Sequence, residues 1–359
     1  MDTLDSVSVE LTGEQKQVLH SLLKFNKRVQ TLGGYAGTGK TTVISHLSRL
    51  LPNFAVCAFT GKAANILRKK GLPSAQTIHS LIYKAVDYGG RTVWVLKHPS
   101  DLLCEGFIVD EASMVSKEIH QDLLSFCRPI IFVGDHGQLE PVGQDVFLMQ
   151  NPDYKLEQIH RNAGEIAHFA EWLRMGKPTL DFKKQPEYEG KIKFLTNRQA
   201  IPHMASVDQI ICAFNKTRVG LNFQVREVKG FKGDEPQVGD KVMCLRNNRM
   251  KGLFNGMQGT VEWVANSRFG SPKMEFLSDG NAYQVFYDPS QFNKEKYDFS
   301  PNHDDPDPFD FADAITCHKS QGDEWNRIMV FEQFCSKWDH KRWTYTAASR
   351  AREEILWVI

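Results

Sequence analysis

The sequence predicts an α/β protein with two large lobes and smaller β-rich insertions. Strand-like apolar runs alternate with helical runs from about residue 14 to residue 163, the order that a parallel sheet with crossover helices requires. The chain has 359 residues, more than one compact core usually spans, so a second lobe is expected to follow. Between residues 231 and 310 the pattern becomes β-rich, which predicts a small β domain inserted in that second lobe.

A glycine-rich loop, residues 34–41, reads G-x-x-x-x-G-K-T and lies between the apolar run 29–32 and the amphipathic run 42–47. Glycines let the backbone curl so that N–H groups point at an anion, while Lys40 reaches the outer phosphates and the Thr41 hydroxyl holds Mg²⁺. A glycine-rich turn with an exposed lysine is the alternative, but strand, loop and helix occur in the required order. The pattern therefore predicts a nucleoside triphosphate site. Its lining residues are predicted to be Gly34, Ala36, Gly37, Thr38, Gly39, Lys40, Thr41 and Thr42.

Two adjacent carboxylates follow a second apolar strand. Asp110 and Glu111 come directly after residues 107–109, at the strand end where parallel sheets bind their ligands. We expect Asp110 to complete the Mg²⁺ coordination and Glu111 to orient and deprotonate the water that attacks the γ-phosphate. An ordinary helix N-cap is the alternative, because acidic side chains favour a helix start. The preceding phosphate loop favours the catalytic interpretation.

A third apolar strand, residues 129–133, runs into the polar segment 134–142. The amide of Gln138 in this segment is expected to sense the γ-phosphate, so we predict Gln138 as a catalytic residue.

The order and spacing of such segments resemble those of superfamily 1 helicases of the Dda/RecD type, over nearly the whole chain. The similar blocks are residues 11–15 (the adenine-reading segment), 59–64 (motif Ia), 74–81 (motif Ib), 110–113 (motif II), 134–142 (motif III), 156–161 (motif IV), 315–322 (motif V) and 345–351 (motif VI). Glu140 departs from the family, which more often has proline there. Because the chain ends soon after Arg350, we expect no C-terminal accessory domain.

This resemblance implies two RecA-like motor lobes, that is, parallel sheets with crossover helices. Lobe 1A would span residues 1–163, lobe 2A residues 164–230 and 311–359, and an SH3-like β-barrel, 2B, residues 231–310. The segment 83–97 has two β-rich arms around Gly89 and Gly90, a good turn pair, and predicts a hairpin. In the family such a hairpin is a pin that splits the duplex; a plain surface hairpin is the alternative.

The resemblance also assigns nucleotide contacts outside the phosphate loop. Gln15 would contact the adenine base, Gln321 and Gly322 would face the nucleotide, and Glu324 would suit a ribose hydroxyl. Phosphoryl transfer gains rate from a cation near the transferring group, and a motor gains directionality if that cation lies on a different domain. The candidates are Arg161 and Arg350, for which a surface position is the alternative that the flanking motifs disfavour.

Nucleic-acid contacts are implied at the homologous positions of both lobes. The predicted residues are Thr60, Lys62, Thr77, His79, Asn215, Lys216, His318 and Ser320. A packing role is the alternative for each, and for His79 in particular. The 23 Phe, 7 Trp and 9 Tyr residues are ample for stacking on bases, but the sequence does not show which of them do so.

Charge and cysteine content narrow the remaining possibilities. Lys and Arg total 44 against 43 Asp and Glu, so nucleic-acid binding is expected to be confined to a groove. The seven cysteines form no C-x-x-C pair, which favours neither a zinc site nor a disulfide framework. The first residues resemble no signal peptide and no apolar run is long enough to span a bilayer. We therefore expect a reducing location, the cytoplasm of a bacterial or phage-infected cell, and no membrane partner.

Together these observations predict an ATP- and Mg²⁺-dependent DNA helicase that translocates on single-stranded DNA, in replication, recombination or repair. By resemblance alone, we expect movement 5′ to 3′. The alternatives are an RNA helicase or remodeller and a non-translocating, ATP-gated DNA-binding module. Expected partners are single-stranded and forked or tailed duplex DNA, with a single-strand-binding protein or replisome component as a protein partner, and the chain is expected to act as a monomer.

Overall fold

The computed structural model describes residues 10–88, 91–139, 148–158, 164–248, 251–265, 271–278, 280–298, 306–336 and 338–359. Leaving residues 89–92 aside, the chain divides into two compact units between Ala167 and His168. The sequence-predicted boundary, between residues 163 and 164, lies close to this division. Within the described residues, no helix is long and apolar enough to cross a membrane.

The first unit is built on a parallel sheet. Its elements are α1 (Gly13–Leu22), β1 (Val29–Gly34), α2 (Lys40–Leu50), β2 (Phe54–Ala58), α3 (Gly61–Lys69), β3 (Gln76–Thr77), α4 (Ile78–Ile82), β4 (Tyr83–Tyr88), β5 (Arg91–Leu96), β6 (Gly106–Asp110), α5 (Lys117–Ser125), β7 (Ile130–Gly134) and β8 (Tyr154–Leu156). The sheet order is β3-β2-β6-β7-β1-β8, with every neighbouring pair parallel.

Alternate residues of the central strands enter two separate cores. Ile108 and Ile131 pack with α1, α2 and α3 on one face, whereas Phe107, Val109 and Phe132 pack with α4 and α5 on the other. A sheet covered on both faces reads as continuous apolar runs, which is why the sequence pattern was informative here. The carboxyl ends of β1, β6 and β7 therefore meet at one edge, and the phosphate loop, Asp110 and the segment that holds Gln138 follow those ends.

The predicted hairpin is present as the paired strands β4 and β5. Its predicted turn at Gly89 and Gly90 lies outside the described residues. At the base of the hairpin, the Lys97 ammonium donates to the carbonyls of Ser80 at 3.0 Å and Leu81 at 2.8 Å. These bonds join the hairpin directly to the carboxyl end of α4.

The second unit combines a parallel sheet with a barrel. Its elements are α6 (Gly164–Arg174), β9 (Ile192–Leu195), α7 (Asn197–Ala200), β10 (Gln209–Cys212), α8 (Asn215–Lys229), β11 (Lys241–Cys244), β12 (Gln258–Ala265), β13 (Lys273–Ser278), β14 (Asn281–Asp288), β15 (Asp307–Phe311), β16 (Ala314–Thr316), β17 (Trp325–Phe331), α9 (His340–Ala348) and β18 (Ala351–Val358). The sheet order is β16-β10-β17-β18-β9, again parallel throughout. On α6, the Phe169 ring packs edge-on against Trp357 of β18 at 5.2 Å.

Strands β11 to β15 close into a barrel, so the predicted fold class, two parallel-sheet lobes with an inserted β-barrel, is confirmed. The barrel begins after α8 and returns through β15 to β16, and its first and last strands pair antiparallel, with Val242 opposite Phe311.

Two buried ion pairs join α8 to the root of the barrel. The Arg226 guanidinium makes two bonds to the Asp240 carboxylate, at 2.9 and 3.1 Å, and Arg218 pairs with Asp310. Burial raises the pKa of both aspartates, although the arginines act in the opposite direction. A buried charge without its partner is costly, so these pairs hold the barrel in one position on α8.

Candidate nucleotide and nucleic-acid sites

The phosphate loop runs from the end of β1 to the start of α2. Gly37 and Gly39 have φ angles of 79° and 82°, in the left-handed region that favours glycine. A Cβ atom at Gly34 would lie 2.8 Å from Thr38 Oγ1 and 3.0 Å from Lys40 Cγ. The glycines therefore permit the tight curl that the sequence predicted.

Lys40 is folded back onto its own loop. Its ammonium donates to the carbonyl oxygens of Gly34 at 2.7 Å and Tyr35 at 2.9 Å. The same nitrogen lies 3.7 Å from Oδ2 of the buried Asp135. Phosphate oxygens are stronger acceptors for an ammonium than carbonyls are, so a bound triphosphate could replace the loop carbonyls without moving Lys40 out of the site.

Asp135 connects Lys40 to the predicted sensor. Its Oδ1 accepts the Gly137 N–H at 2.9 Å, and its Oδ2 accepts the Gln138 amide at 3.2 Å. Contacts through the Asp135 carboxylate therefore connect Lys40 to Gln138 within the first unit. Sequence reasoning gave a role to Gln138 and none to Asp135. The available signal was a carboxylate directly after β7, the strand that neighbours β1.

Glu111 occupies a strained backbone conformation. Its φ and ψ are 53° and 40°, a left-handed geometry that non-glycine residues adopt at a cost of about 1 to 3 kcal/mol. Such strain is common at functional sites, where it re-aims a side chain. The Glu111 N–H donates to Oδ1 of Asp110 at 2.9 Å. Burial raises the pKa of Asp110, although this hydrogen bond and the Lys40 charge act to lower it.

Gln15 ties α1 to the phosphate loop. Its Oε1 accepts the Thr12 N–H at 3.0 Å and its amide donates to the Thr38 carbonyl at 2.9 Å. The side chain is almost fully buried. Its role as the adenine contact stays a prediction; the observed bonds add a positioning role toward the loop.

The oxygen donors at this edge suit magnesium. Mg²⁺ favours oxygen ligands and is usually held by one or two protein groups together with substrate phosphates. Thr41, the second residue of α2, and Asp110, the last residue of β6, offer a hydroxyl and a carboxylate. Among the described residues, no cluster of three His, Cys, Asp or Glu side chains could hold a metal alone. When bound, Mg²⁺ would take its remaining ligands from water and substrate phosphates.

Arg350 is held by neutral oxygens inside the second unit. Its guanidinium donates to the carbonyls of Thr346 and Asp323, at 3.1 and 3.2 Å, and to Ser349 Oγ at 2.9 Å. Its side chain is 4% exposed. The other predicted arginine, Arg161, lies outside the described residues.

The motif V residues take different positions. Gln321 is buried and Gly322 has a φ angle of 78°, which a glycine tolerates. Glu324 forms an exposed ion pair with Arg352 at 3.0 Å. Their nucleotide contacts stay predictions.

Two of the predicted nucleic-acid residues of the first unit cap helices. The Thr60 hydroxyl accepts the Ala63 N–H at 3.1 Å at the start of α3, and Thr77 Oγ1 accepts the Ser80 N–H at 3.1 Å at the start of α4. Both threonines follow neighbouring strands, β2 and β3. The His79 ring lies 5.3 Å from the Tyr83 ring, a packing contact. Lys62 lies on α3, but its side chain is not among those that the structure describes.

In the second unit, Asn215 and Lys216 are exposed at the first turn of α8. His318 lies on a 3-10 turn after β16, where burial lowers its pKa. Ser320 is completely buried and donates its hydroxyl to the Cys317 carbonyl at 2.8 Å. That burial weighs against the predicted direct contact of Ser320 with a strand and favours a role in shaping the turn.

Two family models match this sequence. The model described as an AAA domain matches residues 10–197, and the UvrD-like helicase C-terminal domain matches residues 311–359. The first match spans more than half of the 359 residues, so the chain belongs to this AAA domain family.

Several of the relatives are named as helicases. The RecD2 DNA helicase of Deinococcus radiodurans is 27% identical over 96% of this chain and 48% of its own length. The dda helicase of Enterobacteria phage T4 is 31% identical over 48% of this chain and 44% of its own. The chain thus spans about half the length of these curated relatives. With the family models, they confirm the resemblance to superfamily 1 helicases of the Dda/RecD type.

Solved structures show the same fold. A Bacteroides Pif1 bound to single-stranded DNA is 20% identical with a TM-score of 0.62, covering 97% of this chain and 92% of its own. The Pif1 helicase of Candida albicans is 20% identical with a TM-score of 0.56, covering 98% and 94%.

Proposed function

We propose that this chain is an ATP-hydrolysing DNA helicase that translocates 5′ to 3′ on single-stranded DNA. The observation that carries the proposal is the connected group at the carboxyl edge of the first sheet, where Lys40, Asp135 and Gln138 are linked beside the strained Glu111. Its parts match what phosphoryl transfer needs: a cation on the phosphates, a base for water and a polar sensor. The relatives named as DNA helicases support the choice of substrate.

In this proposal Lys40 binds the outer phosphates and Glu111 takes the proton of the attacking water. Gln138, held by Asp135, responds to the γ-phosphate. Arg161 and Arg350 remain the proposed cations for the transferring phosphoryl group. Magnesium, held by Thr41 and Asp110, would neutralise charge on the phosphates when bound.

The polarity rests on the resemblance to the Dda/RecD branch. Direction depends on which lobe grips the strand more tightly in each nucleotide state, a difference of a few kcal/mol. The paired strands β4 and β5 are the proposed pin for duplex separation. Their attachment to α4 through Lys97 supports a fixed position relative to the predicted motif Ib.

We place the activity in DNA replication, recombination or repair. Relatives are named as a DNA replication helicase/nuclease, DNA2, and a RecBCD subunit. The proposed protein partners are a single-strand-binding protein or a replisome component, and the proposed state is a monomer. The seven cysteines are free thiols, which suits the reducing cytoplasm of a bacterial or phage-infected cell.

Unwinding of tailed duplexes tests the proposal. With Mg-ATP, we expect a duplex with a 5′ single-stranded tail to be separated and one with a 3′ tail to stay intact. Lys40→Ala should abolish both hydrolysis and separation, because the phosphates lose their lysine. Separation of the 3′-tailed duplex instead of the 5′-tailed one would overturn the proposed polarity, but it would still agree with an ATP-driven helicase.

The same assay with RNA tails, and an ATPase assay with oligo-dT against oligo-rU, separate the alternatives. ATPase activity that is stimulated more by oligo-rU than by oligo-dT would indicate an RNA helicase instead of a DNA helicase. DNA binding that responds to ATP, without separation of either duplex, would indicate a non-translocating module.

A further inference from the structure

An aromatic pair lies at the carboxyl edge of the second sheet. The rings of Phe214 and Trp338 are 5.3 Å apart at an interplanar angle of 35°, and His318 approaches Trp338 edge-on at 6.1 Å. Phe214 follows β10, Trp338 follows β17 and His318 follows β16. Because β16, β10 and β17 are neighbours in one parallel sheet, the segments that follow their carboxyl ends bring the three rings to one place.

The backbone beneath Phe214 is fixed from both sides. Gln333, which follows β17, accepts the Ala213 N–H at 3.0 Å and donates to Thr217 Oγ1 at 2.8 Å. One side chain therefore clamps the residues before and after Phe214. Despite this clamp, Phe214 remains 36% exposed. A rigid aromatic held at the surface loses little conformational entropy when a ligand covers it.

Polar and cationic groups stand beside the pair. Asn215 and Lys216, both exposed, come directly after Phe214 at the first turn of α8. Single-strand-binding surfaces combine aromatic faces for bases with cations for phosphates. The arrangement Phe-Asn-Lys supplies both within three consecutive residues.

We propose that Phe214 and Trp338 form a platform on which a base of the bound single strand stacks. This inference rests on the proposed function and extends it to a specific contact. Lys216 and Asn215 bind the adjoining phosphate, and His318 borders the stacked base through its contact with Trp338. Stacking on an aromatic face is tolerant of sequence, as a translocating motor requires.

A strand without bases tests the platform. Binding of oligo-dT and of an abasic strand of equal length is compared by fluorescence anisotropy, since the two share their phosphates. The wild type should favour oligo-dT, and Phe214→Ala should weaken oligo-dT binding by about 5- to 100-fold while changing abasic binding little. Phe214→Tyr should restore the preference because it keeps the ring.

Phe223→Ala is the matched control, because Phe223 lies on α8, the helix that begins directly after Phe214, and is 47% exposed. It should bind both strands as the wild type does. Trp338→Phe should keep the oligo-dT preference and lose part of the tryptophan quenching that oligo-dT causes. Thermal melts of all variants establish that each one is folded.

The outcomes separate this inference from the proposed function. A Phe214→Ala variant with the wild-type preference for oligo-dT overturns the platform, and a protein-docking role for the patch would give that same result. Equal binding of oligo-dT and the abasic strand by the wild type also overturns the platform, but it does not contradict the proposed helicase function. A wild type that binds neither strand overturns the proposed function itself.

Discussion

Lys40 Nζ and Asp135 Oδ2 are 3.7 Å apart, and Asp135 is 2% exposed while it holds the Gln138 amide. The lysine expected to hold phosphate and the glutamine expected to sense it thus share one buried carboxylate. We therefore expect a change in the charge that faces Lys40 to act on Asp135 and, through the same Oδ2 atom, on Gln138.

Asp135→Asn should therefore uncouple the two residues. The amide keeps the shape and loses the charge, so Gln138 and Lys40 are held less accurately. We expect kcat for ATP hydrolysis to fall by about 10- to 100-fold, as a small misplacement of catalytic groups does, with a smaller change in ATP affinity. Steady-state ATPase and nucleotide-binding assays measure the two effects. Asp153→Asn, which alters another aspartate of the same unit, should leave kcat unchanged; equal losses would show a general effect on folding.

Glu111→Gln should bind ATP and hydrolyse it about 100-fold more slowly or worse, because an amide cannot accept the proton of water. Glu105→Gln is the control, since Glu105 precedes β6 and Glu111 follows it. Single-turnover hydrolysis compares the two variants. Near-normal turnover in Glu111→Gln would assign the base to another residue.

Shortening the hairpin between Val86 and Val95 should spare DNA-stimulated ATPase and reduce duplex separation. The anchoring bonds of Lys97 lie outside the deleted segment, so α4 should keep its place. ATPase and unwinding are measured on the same preparation. Loss of both activities would make the hairpin a structural element.

Asp310→Ala should lower the free energy of unfolding by about 3 to 5 kcal/mol, because it leaves Arg218 buried without its charge partner. Chemical denaturation followed by circular dichroism measures the change. Asp298→Ala, at an exposed position near the same root, should change stability by about 0.5 kcal/mol or less. A loss in the exposed variant as large as that in Asp310→Ala would remove the special role of the buried pair.

His318 predicts a dependence of stability on pH. Burial lowers its pKa in the folded state, so below the ordinary histidine pKa of about 6.5 the unfolded chain binds the proton more readily. Stability contributed by the neutral ring is present above that pH and is lost on acidification. Melting temperatures at pH 7.5 and pH 5.5 should differ less in His318→Gln than in the wild type. Replacement of the exposed His20 by Gln should leave the wild-type difference unchanged.

Sequence patterns predicted those parts that depend on local chemistry. The order of residues along the chain is enough to predict the strands β1, β6 and β7 and the curl of the phosphate loop, because these elements depend on residues that are near one another in the sequence. Asp135 was not given a role because its function depends on the adjacency of β7 to β1, which order alone does not reveal. Phe214 and Trp338 are 124 positions apart in the sequence, so only the sheet order brings them together.

Ser320 shows the opposite case. The motif match assigns Ser320 a contact with the nucleic-acid strand, which stays a prediction; in the structure its hydroxyl donates to the Cys317 carbonyl within a 3-10 turn. Side-chain direction within a short turn depends on backbone angles that a motif match does not specify. For Gln15, the bond to Thr38 joins two segments that lie apart in the sequence, and the adenine contact stays a prediction.

The antiparallel pairing of β11 with β15 has a consequence for how this chain evolves. Opposed residues of such a pair lie about 5 Å apart. The chain therefore leaves the second lobe and returns to it at two points that lie close together, whatever the length of the barrel between them. The entropy of closing a connection grows only slowly with its length. The lobe should therefore tolerate exchange of the barrel for longer or shorter modules, provided that the new module also begins and ends on paired strands and keeps the aspartates that meet Arg218 and Arg226. A different module inserted at this point can therefore give the chain new substrate preferences while the parallel sheet of the second lobe stays unchanged.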